Sequence, residues 1–245
     1  MKKATLLLWL SLVLLLPTLV KSQQREKYNF NPGWKLVVGD PEGAASVGFD
    51  DNSWKAITLP HAWNEDEAFA QRIDSLSTGI AWYRKHFKIP AKDRGKKVFV
   101  EFEGYRMGGD IYLNGEMIGR HENGVMAFGL DLTDKIKWDA ENVIAVRIDN
   151  AWNYKEKATG SGFQWNDRNF NANYGGITKN VWLHVTDKLY QTFPLYSFFK
   201  TTGTYIYAKD INIPKKTATV FVEAQFKNEY NTAQRTVLKA IVRDR

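Results

Sequence analysis

The segment 149–173 concentrates side chains that can recognise a hydroxyl-rich ligand, because its run of residues is long, polar and aromatic. Carboxylates accept hydrogen bonds, and amide side chains both donate and accept them. An indole ring offers a flat apolar face beside these polar groups. Long loops of this kind often carry function. We therefore predict that four residues of this segment bind the ligand: Asn150, Trp165, Asp167 and Asn169.

A structural role for the same residues is the alternative. Asp167 stands next to Arg168 and could pair with it, and the asparagines could cap turns, as Asn and Asp commonly do.

Other chemistries find no support in the residue types. The chain has no cysteine, which excludes thiol catalysis and cysteine-ligated metals. Its four histidines lie far apart, and the HExxH spacing of zinc enzymes is absent. Gly175-Gly176 lacks the GxGxxG spacing of a nucleotide loop, so we expect it to serve a tight turn or bulge. No metal and no cofactor are expected.

The first 22 residues have the pattern of a secretory signal peptide. Lys2 and Lys3 precede an apolar run of 15 residues, 6–20, and cleavage is expected after Ser22. The run is shorter than the ~20 residues that span a bilayer. We therefore expect a secreted or periplasmic protein without a membrane anchor after cleavage.

The charge pattern argues against a nucleic-acid partner. Cleavage would leave 31 Lys and Arg residues against 27 Asp and Glu residues, a formal net charge of +4 instead of +7. The positive residues are scattered, with no run of five or more. A nucleic-acid surface needs a clustered basic patch.

Alternation of bulky and polar residues predicts β structure throughout. Such a period of two places one face of a strand in the core and the other in water. The runs are short and separated by Gly, Pro, Asn and Asp, which favours an all-β sandwich. The clearest runs are 81–89, 97–102, 110–113, 142–148 and 180–185. Asn114-Gly115 lies between two runs and predicts a type I′ hairpin turn.

A second β domain is expected after residue 187. Pro194 follows a break in the pattern, and further strand-like runs occupy 204–208, 217–227 and 235–242. An immunoglobulin-type sandwich needs about 100 residues, so we expect 188–245 to form only its first part. The predicted division is signal peptide 1–22, first sandwich 23–187 and incomplete sandwich 188–245.

Five segments, in order, resemble the sugar-binding domain of family 2 glycoside hydrolases. Each motif alone is weak, but the series covers about residues 28–187. The segments are WKAITLPHAW (54–63), GIAWYRKHF (79–87), GYRMGGDIYLNGEMIG (104–119), ENVIAVRIDN (141–150) and YGGITKNVWL (174–183).

The resemblance implies a jelly-roll domain, then an immunoglobulin-like sandwich, then a TIM barrel. In this family the barrel carries two glutamates that act as acid/base and nucleophile in a retaining mechanism. A barrel needs about 250 residues, so we expect no catalytic residue in this chain. The resemblance thus implies the non-catalytic N-terminal part of an exported exo-glycosidase of the β-galactosidase type.

The resemblance also assigns roles to single residues. In many relatives a carboxylate shortly before the GGI motif holds the sugar hydroxyls; Asp167 is the nearest acid, and Asn169 is the alternative. Some β-galactosidases have Asn-Pro-Thr-Gly where this chain has Leu76-Ser-Thr-Gly79, so the substrate-facing Asn is missing. His61 is expected to be structural and satisfied by backbone partners. Arg84 is expected to pair within the sandwich.

Two alternatives to an enzyme fragment are a stand-alone carbohydrate-binding protein and a structural module that mediates protein contacts. The expected partners are a carbohydrate and a catalytic barrel. The sequence leaves a homo-oligomer open.

Overall fold

The computed structural model describes residues 25–72, 75–122, 124, 126–162, 173–194 and 199–243, so the predicted signal peptide lies outside the described residues. Short 3₁₀ helices occupy Glu65–Phe69, Ala91–Asp93 and Thr133–Lys135. Among the described residues, no helix is long and apolar enough to cross a bilayer. The strands are β1 (Glu26–Asn29), β2 (Trp34–Val38), β3 (Lys55–Ile57), β4 (His61–Ala62), β5 (Ile80–Lys88), β6 (Lys97–Phe102), β7 (Gly108–Leu113), β8 (Glu116–His121), β9 (Phe128–Asp131), β10 (Glu141–Asp149), β11 (Gly176–Ile177), β12 (Val181–Thr186), β13 (Leu189–Gln191), β14 (Thr204–Asn212), β15 (Thr217–Ala224) and β16 (Phe226–Asn228).

Two antiparallel sheets form the first domain. One has four strands in the order β1-β12-β6-β9, and the other has six in the order β3-β2-β5-β10-β7-β8. Most neighbouring strands are not consecutive in sequence, as in β1 with β12, so the chain crosses repeatedly between the sheets; the pairs β2-β3 and β7-β8 are the consecutive ones in these two sheets. The predicted all-β sandwich is confirmed.

The core lies between the sheets because alternate residues of each strand point inward. Tyr83 of β5, Val100 of β6 and Ile111 of β7 are fully buried in one continuous apolar cluster. Trp34 of β2 is also fully buried, and its indole nitrogen donates to the carbonyl of Phe30 at 2.8 Å. Aromatic residues such as Phe30, Trp34 and Tyr83 therefore form part of the core.

The predicted strands of this domain occur within one or two residues of their expected bounds. β5 pairs with β10 over its whole length, from Glu141 opposite Lys88 to Asp149 opposite Ile80. The turn between β7 and β8 is also confirmed: Asn114 and Gly115 have φ angles of 53° and 87°. The Asn114 side chain holds the turn against β10, since its Oδ1 accepts from the amide of Val143 at 3.0 Å.

A buried ion pair lies on the outer face of the six-stranded sheet. Arg84 of β5 is fully buried, and its Nε donates to Oδ2 of Asp51 at 2.9 Å. Lys35 and His86 also contact the Asp51 carboxylate, at 2.6 and 2.9 Å. Arg84 therefore pairs within the sandwich, as predicted.

The chain after residue 187 forms two further pairs of strands. β13 pairs with β16, and β14 pairs with β15. The run predicted as one strand over 217–227 is divided at Gln225, whose amide donates to Gly203 and whose carbonyl accepts from Thr192. An immunoglobulin-like sandwich over 188–245 stays a prediction.

The strand predicted over 235–242 is wrong. The structure describes these residues without strand pairing, and Val237 and Val242 are 83% and 90% exposed. A strand needs a neighbour for its backbone hydrogen bonds, and the described residues supply none at this position.

Candidate functional site

Three segments from distant parts of the chain meet at one end of the sandwich. β4 pairs with β11, which places Ala62 opposite Gly176. Gly176 also exchanges two backbone hydrogen bonds with Arg106, each of 2.9 Å. The amide of Trp63 donates to the carbonyl of Gly175 at 2.9 Å. The GGI motif is therefore the point at which the LPHAW motif and the residues before β7 are joined.

Three buried asparagines, Asn64, Asn150 and Asn173, hold this junction together; we call them the asparagine cluster. They are 2%, 0% and 0% exposed. Asn150 Oδ1 accepts from the amide of Gly79 at 3.0 Å, and its Nδ2 donates to the carbonyl of Asn173 at 3.1 Å. In return, Asn173 Nδ2 donates to the carbonyl of Asn150 at 2.5 Å.

Asn64 connects the cluster to the loop before β5. Its Nδ2 donates to the carbonyls of Ser77 and Asn173, at 2.8 and 2.9 Å, and its Oδ1 accepts from Gly175 at 3.0 Å. The loop Leu76-Ser-Thr-Gly79, which was compared with the family's Asn-Pro-Thr-Gly, thus has backbone groups bonded to Asn64 and Asn150. The cluster fixes both ends of the segment 151–172 as well as this loop.

The two glycines of the GGI motif are required by close packing. A Cβ atom on Gly176 would lie 2.1 Å from the hydroxyl of Tyr83, and Gly176 has a φ of +119°. Residues other than glycine rarely adopt that backbone conformation. Gly175-Gly176 does lie at a strand entry, since Gly176 is the first residue of β11, whereas the tight turn or bulge stays a prediction.

A groove with a volume of about 360 Å³ opens beside the cluster. We call it the Tyr174 groove, after an aromatic residue that is 38% exposed. Its lining residues come from β4, the following 3₁₀ helix, the segment before β7 and the segment around β11: Pro60, His61, Ala62, Glu65, Arg106, Tyr174 and Thr178.

Glu65 brings a carboxylate to this groove. Its side chain is 50% exposed, its Oε2 accepts from the amide of Ala62 at 3.3 Å, and its Oε1 lies 3.7 Å from His61 Nε2. Burial lowers the pKa of His61, while the nearby Glu65 carboxylate opposes that shift. The His61 imidazole is therefore neutral at pH 7.

The expectation that backbone partners satisfy the His61 side chain is wrong. Its Nδ1 is buried without a hydrogen-bond partner among the described residues. The backbone carbonyl of His61 does have a partner, because it accepts from the side-chain hydroxyl of Tyr83 at 3.1 Å.

Arg106 brings a guanidinium to the same groove. Its Nε donates to Oδ1 of Asn173 at 3.3 Å, which connects the groove to the asparagine cluster. Burial lowers the pKa of Arg106, because removal from water disfavours the charged form. The groove thus contains one acidic and one basic group on a partly apolar wall.

Of the four residues predicted to bind the ligand, the structure describes only Asn150. Trp165, Asp167 and Asn169 lie outside the described residues. Asn150 exposes none of its surface, so it has no surface with which to contact a sugar and instead supports the junction. Sequence reasoning missed Asn64, Glu65 and Arg106. The only local signal was the position of Asn64 and Glu65 directly after the LPHAW motif.

Metal ligands do not gather in the described ranges: no three His, Asp or Glu side chains there are placed to hold a metal ion.

Comparisons with known proteins point to one family. Residues 61–182 match the family model described as glycosyl hydrolase 2 galactose-binding domain-like. A β-glucuronidase of Formosa agariphila is 39% identical over 86% of this chain and 22% of its own length. A β-galactosidase of Bacteroides ovatus is 32% identical over 90% of this chain and 24% of its own length.

A solved structure agrees with these relatives. A β-glucuronidase from glycoside hydrolase family 2 superposes with a TM-score of 0.76 and 38% identity, over 86% of this chain and 23% of that protein. The chain therefore spans less than a quarter of the length of these relatives and matches their N-terminal part. The resemblance predicted from the five motifs is confirmed, and the chain belongs to glycoside hydrolase family 2, with residues 61–182 as its galactose-binding domain-like region.

Proposed function

We propose that this chain is the non-catalytic N-terminal part of an exported retaining exo-glycosidase that hydrolyses terminal β-glycosides. The observation that carries the proposal is the 39% identity to a β-glucuronidase of which the chain spans only 22%. In the full protein, a barrel would supply the two glutamates that act as acid/base and nucleophile. The described junction would supply a rigid wall beside the barrel's mouth.

The proposed substrates are β-galactosides or β-glucuronides, which correspond to the activities named for the two relatives described above. We expect Asp167, Asn169 and Trp165 to face the sugar from the segment 151–172. Asn150 would act indirectly, by holding that segment at its start through the hydrogen bonds to Gly79 and Asn173.

Hydrolysis assays test this proposal. The 245-residue chain and a longer product of the same reading frame are each incubated with aryl β-galactoside and aryl β-glucuronide. We expect no turnover by the chain and turnover with retained anomeric configuration by the longer product. An aryl α-galactoside serves as the control substrate and should stay intact. Turnover by the chain alone, or an inactive longer product, would contradict the proposal.

Export is a separate part of the proposal, supported by the pattern of residues 1–22. Expression in a Gram-negative host, followed by N-terminal sequencing of the periplasmic fraction, should give a chain that begins at Gln23. A chain that keeps Met1 and stays in the cytoplasm would overturn this part and leave the enzymatic part standing.

A further inference from the structure

The chain that follows the first domain folds back over the outer face of the four-stranded sheet. Phe99 of β6 belongs to a small apolar cluster outside the core, and three aromatic rings lie 5.0 to 5.4 Å from its centroid: Tyr190, Phe193 and Phe199. Phe199 also fills the space beside Gly129 of β9, where an added Cβ atom would lie 2.5 Å from its ring. We call β13, β16 and these three aromatic residues the cover.

Charged groups hold the cover to the first domain. Lys97 of β6 is 8% exposed, and its Nζ lies 2.6 Å from Asp131 of β9 and 2.9 Å from Glu229, which follows β16. Arg25, just before β1, places its guanidinium over the ring of Phe193 at 4.1 Å. The cover is therefore docked through specific polar contacts as well as through apolar ones.

A histidine is enclosed beneath the cover. His184 of β12 is 3% exposed, and its ring meets that of Phe193 edge to face at 4.8 Å. Its Nε2 lies 2.6 Å from Oε2 of Glu101 on β6. Its Nδ1 is buried and has no hydrogen-bond partner among the described residues. A neutral ring suits this position, because its single N–H can donate to the Glu101 carboxylate.

A protonated ring suits the same position poorly. Its second N–H, at Nδ1, would be a buried donor without an acceptor, and its charge would be withdrawn from water. Burial therefore lowers the pKa of His184 below its usual 6.5; the Glu101 carboxylate opposes this shift, and the positive charges of Arg25 and Lys27 add to it. From the cover, the ring that packs on His184 is that of Phe193, which carries no charge.

We propose that His184 makes the docking of the cover sensitive to pH: the cover stays on the sheet while the imidazole is neutral and detaches when the imidazole takes up a proton. Detachment moves Phe193 off the ring, so that water reaches Nδ1 and accepts its new N–H. The proton comes from solvent, and no covalent bond of the chain changes. This inference goes beyond the proposed function, because it concerns how the residues after 187 are held and needs neither a sugar nor a barrel.

Proton linkage gives the direction and the size of the effect. In the detached state the His184 ring is solvated and titrates near its usual 6.5, whereas in the docked state its pKa is lower. Docking is therefore strongest above pH 6.5 and weakens as the pH falls towards the docked value. Since one proton is involved, each pH unit within this window lowers the docking equilibrium constant by up to about tenfold.

The Lys97–Glu229 pair does not titrate in this window. Burial raises the pKa of Glu229, but hydrogen bonds from Lys227, Lys97 and Tyr190 outweigh it and leave the pKa at about 2. A change in docking between pH 7.5 and pH 5 is therefore not caused by this carboxylate.

The test is a distance measurement in the full chain, which has no cysteine and so allows two labels to be placed without competition. Lys92→Cys in the first domain and Thr219→Cys on β15 are exposed positions for spin labels. We expect a single narrow distance distribution at pH 7.5 and a second population at a different distance at pH 5. Slow hydrogen exchange in β5 and β10 at both pH values shows that the first domain stays folded.

Three variants assign the response. His184→Gln keeps a donor for Glu101 but takes up no proton in this range, so it should stay docked at both pH values. His121→Gln is the matched control, because it removes another buried histidine, on β8 of the first domain, and it should leave the response unchanged. Phe193→Ala removes the ring that encloses His184 and should show the second population already at pH 7.5.

NMR titration of the His184 ring, assigned by the signal that His184→Gln removes, is the second measurement. Its midpoint should coincide with the midpoint of the distance change. The proposal is overturned if the distance stays the same from pH 7.5 to pH 5, if it changes equally in His184→Gln, or if the ring titrates without a change in distance. The hydrolysis assays report on the proposed function independently of all three results.

Discussion

A Cβ atom on Gly175 would lie 2.4 Å from Nδ2 of Asn150, closer than real atoms approach. The same atom would lie 2.4 Å from the indole nitrogen of Trp63. Because both neighbours are rigid groups of the junction, neither can move aside without breaking other contacts. Position 175 in the motif YGGI must therefore be glycine, because Asn150 at the end of the motif ENVIAVRIDN leaves no room for a Cβ atom there.

Gly175→Ala should destabilise the domain by about 1–3 kcal/mol, the usual effect of overpacking a filled site. Urea unfolding followed by tryptophan fluorescence measures the change. Gly162→Ala is the matched control, because a Cβ atom there would meet nothing within 4 Å. Its effect should stay within about 0.5 kcal/mol. Equal midpoints for both variants would show that the junction is not tightly packed.

Asn150→Ala should loosen the junction locally. It leaves the amide of Gly79 without its side-chain partner, and it removes one of the two side-chain donors to the carbonyl of Asn173, the other being Asn64. A buried group left unsatisfied costs about 1–3 kcal/mol. Hydrogen exchange should show a faster amide at Gly79, in addition to a lower unfolding midpoint. Asn153→Ala, an exposed residue three positions along the same segment, should change neither measurement.

Asp51→Ala should be among the most destabilising single changes in the outer layer. It leaves Arg84, fully buried, without its 2.9 Å carboxylate partner. Breaking a buried pair in this way costs about 3–5 kcal/mol. Asp50→Asn is the control, because it removes the charge of an exposed neighbouring residue. Thermal unfolding that shifts equally for the two variants would contradict a structural role for the pair.

The Asp51 pair also predicts sensitivity to acid. Burial raises the pKa of Asp51, but hydrogen bonds from Arg84, Lys35 and His86 outweigh it and leave the pKa well below its usual value. The stabilisation is therefore complete above the unfolded pKa, near 4, and is lost as the pH falls through the lower folded value. Unfolding midpoints measured down to pH 3 should fall less steeply in Asp51→Ala than in the unmodified chain.

His121 predicts a second pH effect at milder acidity. Burial lowers the pKa of His121 to about 4 from its usual 6.5, because its ring is enclosed against Phe128 and Tyr105. Between these two values the unfolded chain binds the proton and the folded chain does not, so stability falls as the pH is lowered through this window. His121→Gln should reduce the slope of midpoint against pH from 6.5 to 4. If the slope is unchanged, other histidines must cause the loss of stability in this pH range.

Local patterns were sufficient to predict the strands of the first domain. Period-two alternation predicted β5, β6, β7, β10 and β12, and the positive φ of Asn114 followed from the Asn-Gly pair. These features depend on neighbours in sequence. The strand predicted over 235–242 failed for the complementary reason: alternation predicts a strand only where another strand is available to pair with it.

The junction could not be predicted, because its bonds join residues that are distant in sequence. Asn64 and Asn173 are 109 positions apart, and Asp51 and Arg84 are 33 apart. No local pattern distinguishes an asparagine that caps a turn from one that bridges three loops. For the same reason, Asn150 was predicted to contact a ligand, although the fold encloses it completely.

The pairing of β1 with β12 has a consequence for synthesis of the protein. Asn31, just after β1, accepts a hydrogen bond from the amide of Val181, 150 residues later. Ribosomes add about 5–20 residues per second, so the first strand waits about 8–30 seconds for its partner. During that interval β6 also lacks its β12 neighbour, and the apolar face of β6 is accessible to chaperones. The N-terminal strand is thus the first part of the domain to be made and among the last to be folded.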